Sequence, residues 1–261
     1  MTRADVTRAY GHIPDEEMHV LEDLVSARAW HTPIAGVGDD LVQVDRSALV
    51  DEIEDQGGTS SCVSQALCSA VELTAKLKGH PIPRISRRAH YAMGRFVDRP
   101  GLPLLDTGMR PRSGLVAAQE HGFCAESRWP WDEGAVDVAP PWDVHQHAVD
   151  ALLTGYYRIA SGGDVAESIR QAVRRGFFPT FAMPVDAAYE SHDGSAVVSA
   201  LGSPVGNHAQ VVVGFGEGWI LALNSWGRGW GRGGLARIAD ELVNRVAFDV
   251  IVPTVAPKVV T

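Results

Sequence analysis

Cys62 stands at the head of an apolar stretch, six residues after Gln56, in the run Asp55-Gln-Gly-Gly-Thr-Ser-Ser-Cys62-Val63. Far downstream come Gly206-Asn-His208-Ala209 and Asn224-Ser-Trp226-Gly227, with His208 146 and Asn224 162 residues past the cysteine. A thiol, an imidazole and two carboxamides are the parts needed for nucleophilic acyl chemistry. A free thiol with pKa near 8.5 is only a few per cent ionised at neutral pH, so the nucleophile needs help. A helix N-terminus at Cys62 and an imidazolium at His208 would both favour the thiolate. His208 then serves as base and later as acid, and Asn224 fixes its tautomer. The Gln56 amide, with the backbone N–H of Cys62, would hold a developing oxyanion. Trp226 would keep water from the His208–Asn224 bond. Among ten histidines, His208 is distinguished by opening an apolar, strand-like run after Gly206-Asn.

The elements that position these groups follow from periodicity. Val63, Ala66, Leu67, Ala70, Val71 and Leu77 fall at helical spacing between Ser61 and Lys78, and Gly79 closes the run, so Cys62 opens a buried helix. Cys68 lies about 120° around that helix from Cys62 and reads as a core thiol. Asp164 and Glu167 have capping-box spacing ahead of a stripe of Val165, Ile169 and Val173 that ends at Gly176. Near the N-terminus, Val20, Leu21, Leu24 and Val25 mark a helix from about Asp15 to Arg28. The C-terminal half turns to short apolar runs, Phe178–Met183, Ala209–Phe215, Trp219–Leu223, Leu235–Ile238 and Val246–Val252, with a hairpin turn at Gly216-Glu-Gly218. Helices first and strands later make the chain α+β.

Composition limits the function classes. The chain has 261 residues, 45% hydrophobic and 21% charged, enough for a substantial core. A formal net charge of −9 argues against a nucleic-acid surface, and Arg84, Arg87 and Arg88 read as a solvated basic face. No run of about 18 apolar residues predicts a membrane span, and the first residues lack an apolar signal core. Three cysteines, an odd number, suit a reducing compartment, so a cytoplasmic location is expected, with particle association or specialised export left open. His145-Gln-His147 has no third ligand pattern to complete a metal site, and Gly227–Gly234 lacks the Gly-Lys-Ser/Thr of a phosphate loop. No cofactor is implied.

Taken together, the order Gln56, Cys62, His208, Asn224 resembles that of papain-like cysteine peptidases, whose His and Asn fall about 130–150 residues past the Cys, a range that His208 fits and Asn224 slightly exceeds. Asn224-Ser-Trp-Gly227 is followed by Gly229-Trp-Gly231 as in that family, and Asp106-Thr-Gly108 through Glu126-Ser-Arg-Trp-Pro130 is similar to the middle segment of its bacterial members; the whole pattern is most like bacterial or phage members. The resemblance covers roughly residues 45 to 250. It implies a two-lobed fold, with Cys62 on a helical lobe of about residues 50–140 and His208 and Asn224 on a β-rich lobe of about 141–255, across a cleft. Residues 41–261 would form the peptidase domain, and 1–40 an N-terminal extension, read as a packed extension with an inhibitory propeptide-like segment as the alternative. By the same alignment Gly108 and Met109 offer backbone hydrogen bonds to an extended peptide, while Pro111 and Ala209 line a pocket for an apolar side chain two residues before the cut. Thr59 and Asp106 stand where the family often has a disulfide, and Val63 stands where eukaryotic relatives usually have Trp. The implied activity is thiol-dependent peptide hydrolysis on peptide or protein substrates. Acyl transfer or deamidation by the same groups, and a structural part in a larger assembly such as a phage particle, are the alternatives.

Overall fold

The computed structural model describes residues 10–14, 42–141, 143–144, 151–159 and 163–257. The helix expected at Asp15–Arg28 and the pair His145 and His147 lie outside the described residues. Three helices build one lobe: α1 (Cys62–Leu77), α2 (Arg87–Asp98) and α3 (Pro111–His121). Each start has a local cause. Ser86 caps α2 by accepting from the Ala89 amide, and Pro111 occupies the first turn of α3, where its missing N–H costs nothing. Gly122 ends α3 at φ +71°, in the left-handed region open to glycine.

α1 is buried on almost every side, from Cys62 through Ala75 with only Glu72 less covered. That explains why Cys68, turned away from Cys62, is equally inaccessible: both show 0% exposure. The helix packs on an eight-stranded sheet ordered β2-β8-β3-β5-β6-β7-β4, with β1 paired to β5. The strands are β1 (Val44–Asp45), β2 (Ala151–Ile159), β3 (Thr180–Val185), β4 (Val197–Val198), β5 (Gly206–Gly216), β6 (Trp219–Leu223), β7 (Leu235–Ala239) and β8 (Phe248–Pro257). On the sheet's other face lie α4 (Val165–Arg174) and α6 (Asp240–Val246), while the short α5 (Ala187–Glu190) follows β3.

The apolar runs of the C-terminal half are continuous because both sheet faces are covered. Val211 and Val213 of β5 join the core under α1, whereas Val212 and Phe215 join the core under α4. In β6 the division is Leu221 and Leu223 against Ile220 and Ala222. Burying one such side chain contributes about 1.5–3 kcal/mol, so a one-residue slip would exchange both cores at once. The register that results pairs Met183 with His208 and Val211 with Leu223.

Three expectations change. The run Val246–Val252 is the end of α6 followed by β8, because Asp240-Glu241 begins a helical turn that carries Leu242 and Val243 into the core. β1 joins the sheet although it precedes the helical lobe in sequence. Arg84, Arg87 and Arg88 do not form a solvated face. Arg87 is 2% exposed and held by Glu72 and by Glu54 at 3.1 Å, Arg84 lies 2.6 Å from Glu54, and Arg88 bonds the Ala135 carbonyl over the Trp129 ring. Burial works against the Arg87 charge, but Glu72 and Glu54 outweigh it and hold its pKa above the ordinary value.

Candidate active site

Cys62 is the first residue of α1, and Ser61 in front of it makes no side-chain cap. The Ser61 hydroxyl is instead 2.8 Å from Thr59 Oγ1 and accepts from Gln65 Nε2 at 3.2 Å. The amides of the first turn are therefore not claimed by a cap, and their positive end lies at the thiol. Burial is the largest influence on the sulfur and pushes its pKa up, while backbone hydrogen bonds from Ala209, Gly11, Val63 and Cys62 itself pull it down. The Ala209 contact brings the residue after His208 to the thiol, joining the helical wall to the sheet wall.

His208 is fully buried in β5 and its Nε2 is 2.7 Å from Asn224 Oδ1. A carboxamide oxygen only accepts, so Nε2 carries the hydrogen and, in the neutral ring, Nδ1 is the basic nitrogen. Asn224 Oδ1 also accepts the Ser225 backbone amide at 2.7 Å, which holds the side-chain oxygen, and the backbone amide of Asn224 donates to Gly234 O at 2.9 Å, which anchors the main chain there. Trp226 lies over the imidazole with ring centroids 4.3 Å apart and an interplanar angle of 29°. Trp230 and Tyr189 brace that indole, at 5.4 and 5.9 Å between centroids.

Gln56 is held from the same direction. Its amide donates to Ser225 O at 2.9 Å, Asp55 bridges Trp226, and the Gly227 amide donates to Glu54 O at 2.8 Å. Ser225 Oγ donates to Gln56 Oε1 at 2.7 Å, and Gln56 Nε2 donates to Thr59 O at 2.7 Å, leaving its second N–H as a further donor. Gly57 turns the chain at φ +60°, with Glu133 accepting from the next amide, Gly58, at 2.7 Å.

No disulfide forms among the described residues, and all three cysteines are free and buried. At the position of the absent bridge, Asp106 accepts the Ser60 amide at 2.9 and 3.1 Å and the Tyr91 hydroxyl at 2.7 Å. A carboxylate thus ties the middle segment to the loop that carries the nucleophile.

The cleft itself contains part of this chain. Gly11 O accepts the Met109 amide at 2.8 Å and the Ile13 amide reaches Met109 O at 3.4 Å, which sets His12 beside Met109 in a parallel bridge. Gly11 lies so close to the Ser60 carbonyl and Gly108 so close to Gly11 O that neither leaves room for a Cβ. Tyr10 packs on Gly206 and donates to Glu190. The His12 ring enters the sheet lobe, with Nε2 3.2 Å from Asp249 Oδ2 and the Phe248 ring edge-on at 5.0 Å. The structure places Met109 where the Tyr10–Ile13 segment bonds to its backbone, whereas the Gly108 amide donates to the Tyr91 hydroxyl at 3.0 Å; Pro111 starts α3, and Ala209 lies at the Cys62 sulfur. His12, Phe248, Asp249 and the role of Asp106 as a brace had no motif to announce them, and Ser225 lay within the Asn224–Gly227 motif without an assigned role.

The model of the papain family cysteine proteases matches residues 40–251. The chain belongs to that family. Digestive cysteine proteinase 1 of Homarus americanus is 26% identical over 220 residues, covering 79% of this chain and 64% of the relative. A cathepsin L-like proteinase of Fasciola hepatica is 27% identical over 209 residues, covering 76% of this chain and 59% of the relative. This chain therefore spans about three-fifths of the length of these two family members. Among solved structures, xylellain, a cysteine protease from Xylella fastidiosa, superposes with a TM-score of 0.71 at 21% identity, over 97% of this chain and 98% of the other. The bromelain protease from Ananas comosus gives 0.66 at 21% identity, over 82% and 98%. The papain-like α+β fold with two lobes is thus shared. None of the described helices is long and apolar enough to cross a membrane, and no group of three or more metal-binding side chains occurs among the described residues.

Proposed function

We propose that this chain hydrolyses peptide bonds through a thioester on Cys62. The observation that carries the reading is the bond from His208 Nε2 to Asn224 Oδ1, which leaves Nδ1 as base, together with the Ala209 hydrogen bond that sets this segment against the thiol. A substrate strand pairs with Gly108 and Met109. The Cys62 sulfur, having given its proton to His208, attacks the scissile carbonyl carbon, and the carbonyl electrons move onto oxygen. The second Gln56 N–H and the Cys62 amide stabilise that oxyanion. Collapse expels the amine, which takes its proton from the His208 imidazolium, and leaves the thioester. Water, deprotonated by His208, then attacks the thioester, and the acid product departs with the thiol restored.

The test is mass mapping after treatment with an epoxide thiol reagent, combined with cleavage of an unstructured protein. Cys62 is expected to be the labelled residue, with Cys68 and Cys124 spared, and Cys62→Ala is expected to fold but not cleave. Equal labelling of the three cysteines, or cleavage by Cys62→Ala, would overturn the assignment. Products that carry an added amine in place of water would replace hydrolysis with acyl transfer.

A further inference from the structure

Strand β5 buries a carboxamide among apolar neighbours. Gln210 is 1% exposed and lies between Ala209 and the run Val211, Val212 and Val213, all of them buried. Its Oε1 accepts from the Tyr189 hydroxyl at 2.5 Å, while its Nε2 is buried with no hydrogen-bond partner. An aliphatic side chain would fill this place without leaving a buried donor unpaired, so the carboxamide costs the fold stability and only its bond to Tyr189 offsets that cost.

Alternation along β5 puts Gln210 on the same face as His208, two residues away, and as Val212, which enters the core under α4. Tyr189, on α5, is held at three points. Its amide donates to Asp186 Oδ1 at 2.7 Å, its carbonyl accepts from Trp230 Nε1 at 3.0 Å, and its hydroxyl reaches Gln210. Burial pushes the pKa of that hydroxyl above its ordinary value, so it keeps its proton and acts as the donor. The Tyr189 ring meets Trp226 edge-on with the planes at 69°, and Trp226 in turn lies over His208. One rigid phenol thus touches both the strand that carries the base and the indole that covers it.

We propose that Gln210 and Tyr189 are a positioning pair for the base: the bond between them seats the phenol so that Trp226 stays over His208 and keeps water from the His208–Asn224 hydrogen bond. As a claim about catalysis it rests on the peptidase reading. Neither side chain acts on the scissile bond; each works through the indole. Without the tie the phenol can shift, the indole follows it, and water competes with His208 for Asn224 Oδ1, where a dry surrounding had strengthened the bond. An imidazole held less firmly spends less time aimed at the thiol, which slows the chemical step more than it weakens peptide binding.

The experiment compares the full chain with Gln210→Met, Tyr189→Phe and the double variant. Gln210→Met keeps the bulk and removes the carboxamide, whereas Tyr189→Phe removes one oxygen and keeps the ring, so either remains informative should the other fail to fold. Solvent exchange of the His208 Nε2 proton, followed by NMR against the backbone amide of Val212, which donates to Pro179 O, needs no substrate. In each variant the ring proton is expected to exchange at least about tenfold faster while the Val212 amide keeps its rate. With fluorescently labelled casein, kcat is expected to fall at least about fivefold with KM within about twofold of the parent. The double variant is expected to lose no more than the worse single one, because the two residues act as one unit. Unchanged ring-proton exchange in both variants, equal acceleration of the ring proton and the Val212 amide, or kcat losses that multiply in the double variant would overturn the pair. Any of these in a chain whose parent form cleaves casein leaves the peptidase reading standing. Faster ring-proton exchange with no cleavage by any form, the parent included, would keep the pair and remove the peptidase reading.

Discussion

The hydroxyl of Ser225 donates to the side-chain oxygen of Gln56 at 2.7 Å, across 169 positions of sequence. Because Ser225 directly follows Asn224, one residue aligns the proposed oxyanion donor with the residue that orients the base. Ser225→Ala is expected to lower kcat by about tenfold with a smaller change in KM, since a freed Gln56 amide can turn. Leaving its oxygen buried and unsatisfied costs about 1–3 kcal/mol, to be read by denaturant unfolding. Gln56→Ala is expected to cost about 10²–10³ in kcat. Unchanged steady-state kinetics in Ser225→Ala would show that the alignment does not depend on this bond.

Asp106 replaces a covalent tie with hydrogen bonds to Ser60 and Tyr91. Asp106→Ala is expected to destabilise the protein by about 1–3 kcal/mol, and reductant is expected to leave the melting temperature of the parent unchanged. A clear fall in Tm on adding reductant would show that two of the three thiols pair in solution.

His90 is buried between Ser64 Oγ and Gly114 O, and burial, helped by the Arg87 charge, lowers its pKa to about 4. The folded pKa is below the unfolded value of about 6.5, so the unfolded chain binds the proton first. The contribution of neutral His90 is therefore complete above about pH 6.5 and is lost as pH falls toward 4. The loss is on the order of 3 kcal/mol at about 1.4 kcal/mol per unit. His90→Gln is expected to flatten that part of the stability profile, which unfolding curves at pH 7, 5.5 and 4.5 would reveal. Parallel profiles for the two proteins would rule His90 out as a source of acid sensitivity.

Gly11 has no room for a Cβ against Ser60. Gly11→Ala is accordingly expected to lift the Tyr10–Ile13 segment and to speed alkylation of Cys62 by at least about tenfold, with Cys68 unaffected. Quenched-time mass mapping measures both. An unchanged Cys62 rate would mean that this contact does not limit access to the thiol.

How much could be read in advance differs from residue to residue. α1 was legible because its apolar positions recur at helical spacing, and α4 because Asp164 caps it by accepting the Glu167 amide at 2.9 Å. β5 and β6 were legible as runs, although nothing local told which face each residue would join. Gln56, Cys62, His208 and Asn224 could be named as candidates from the order and spacing they share with papain-like peptidases. The remainder depended on distant pairings. Arg87 looks like a surface charge until Glu54 and Glu72 are brought beside it. Asp249 looks like a polar residue in an apolar strand until Arg158 and His12 converge on it. The segment Tyr10–Ile13 carries no pattern at all, because its place depends on close backbone approach at Gly11 and Gly108, which leaves no periodic trace.

Because the occupant of the cleft is covalently part of the chain, dilution cannot remove it, and its concentration near Cys62 is set by the tether and not by the amount of protein. Under the proposed peptidase reading a free peptide would have to outcompete this local copy, so apparent affinity for short substrates is expected to be weaker than the cleft's intrinsic affinity. Long substrates that engage surface beyond the pocket can recover the difference. Discrimination by length would then arise from competition within a single molecule, without any additional site for recognising it.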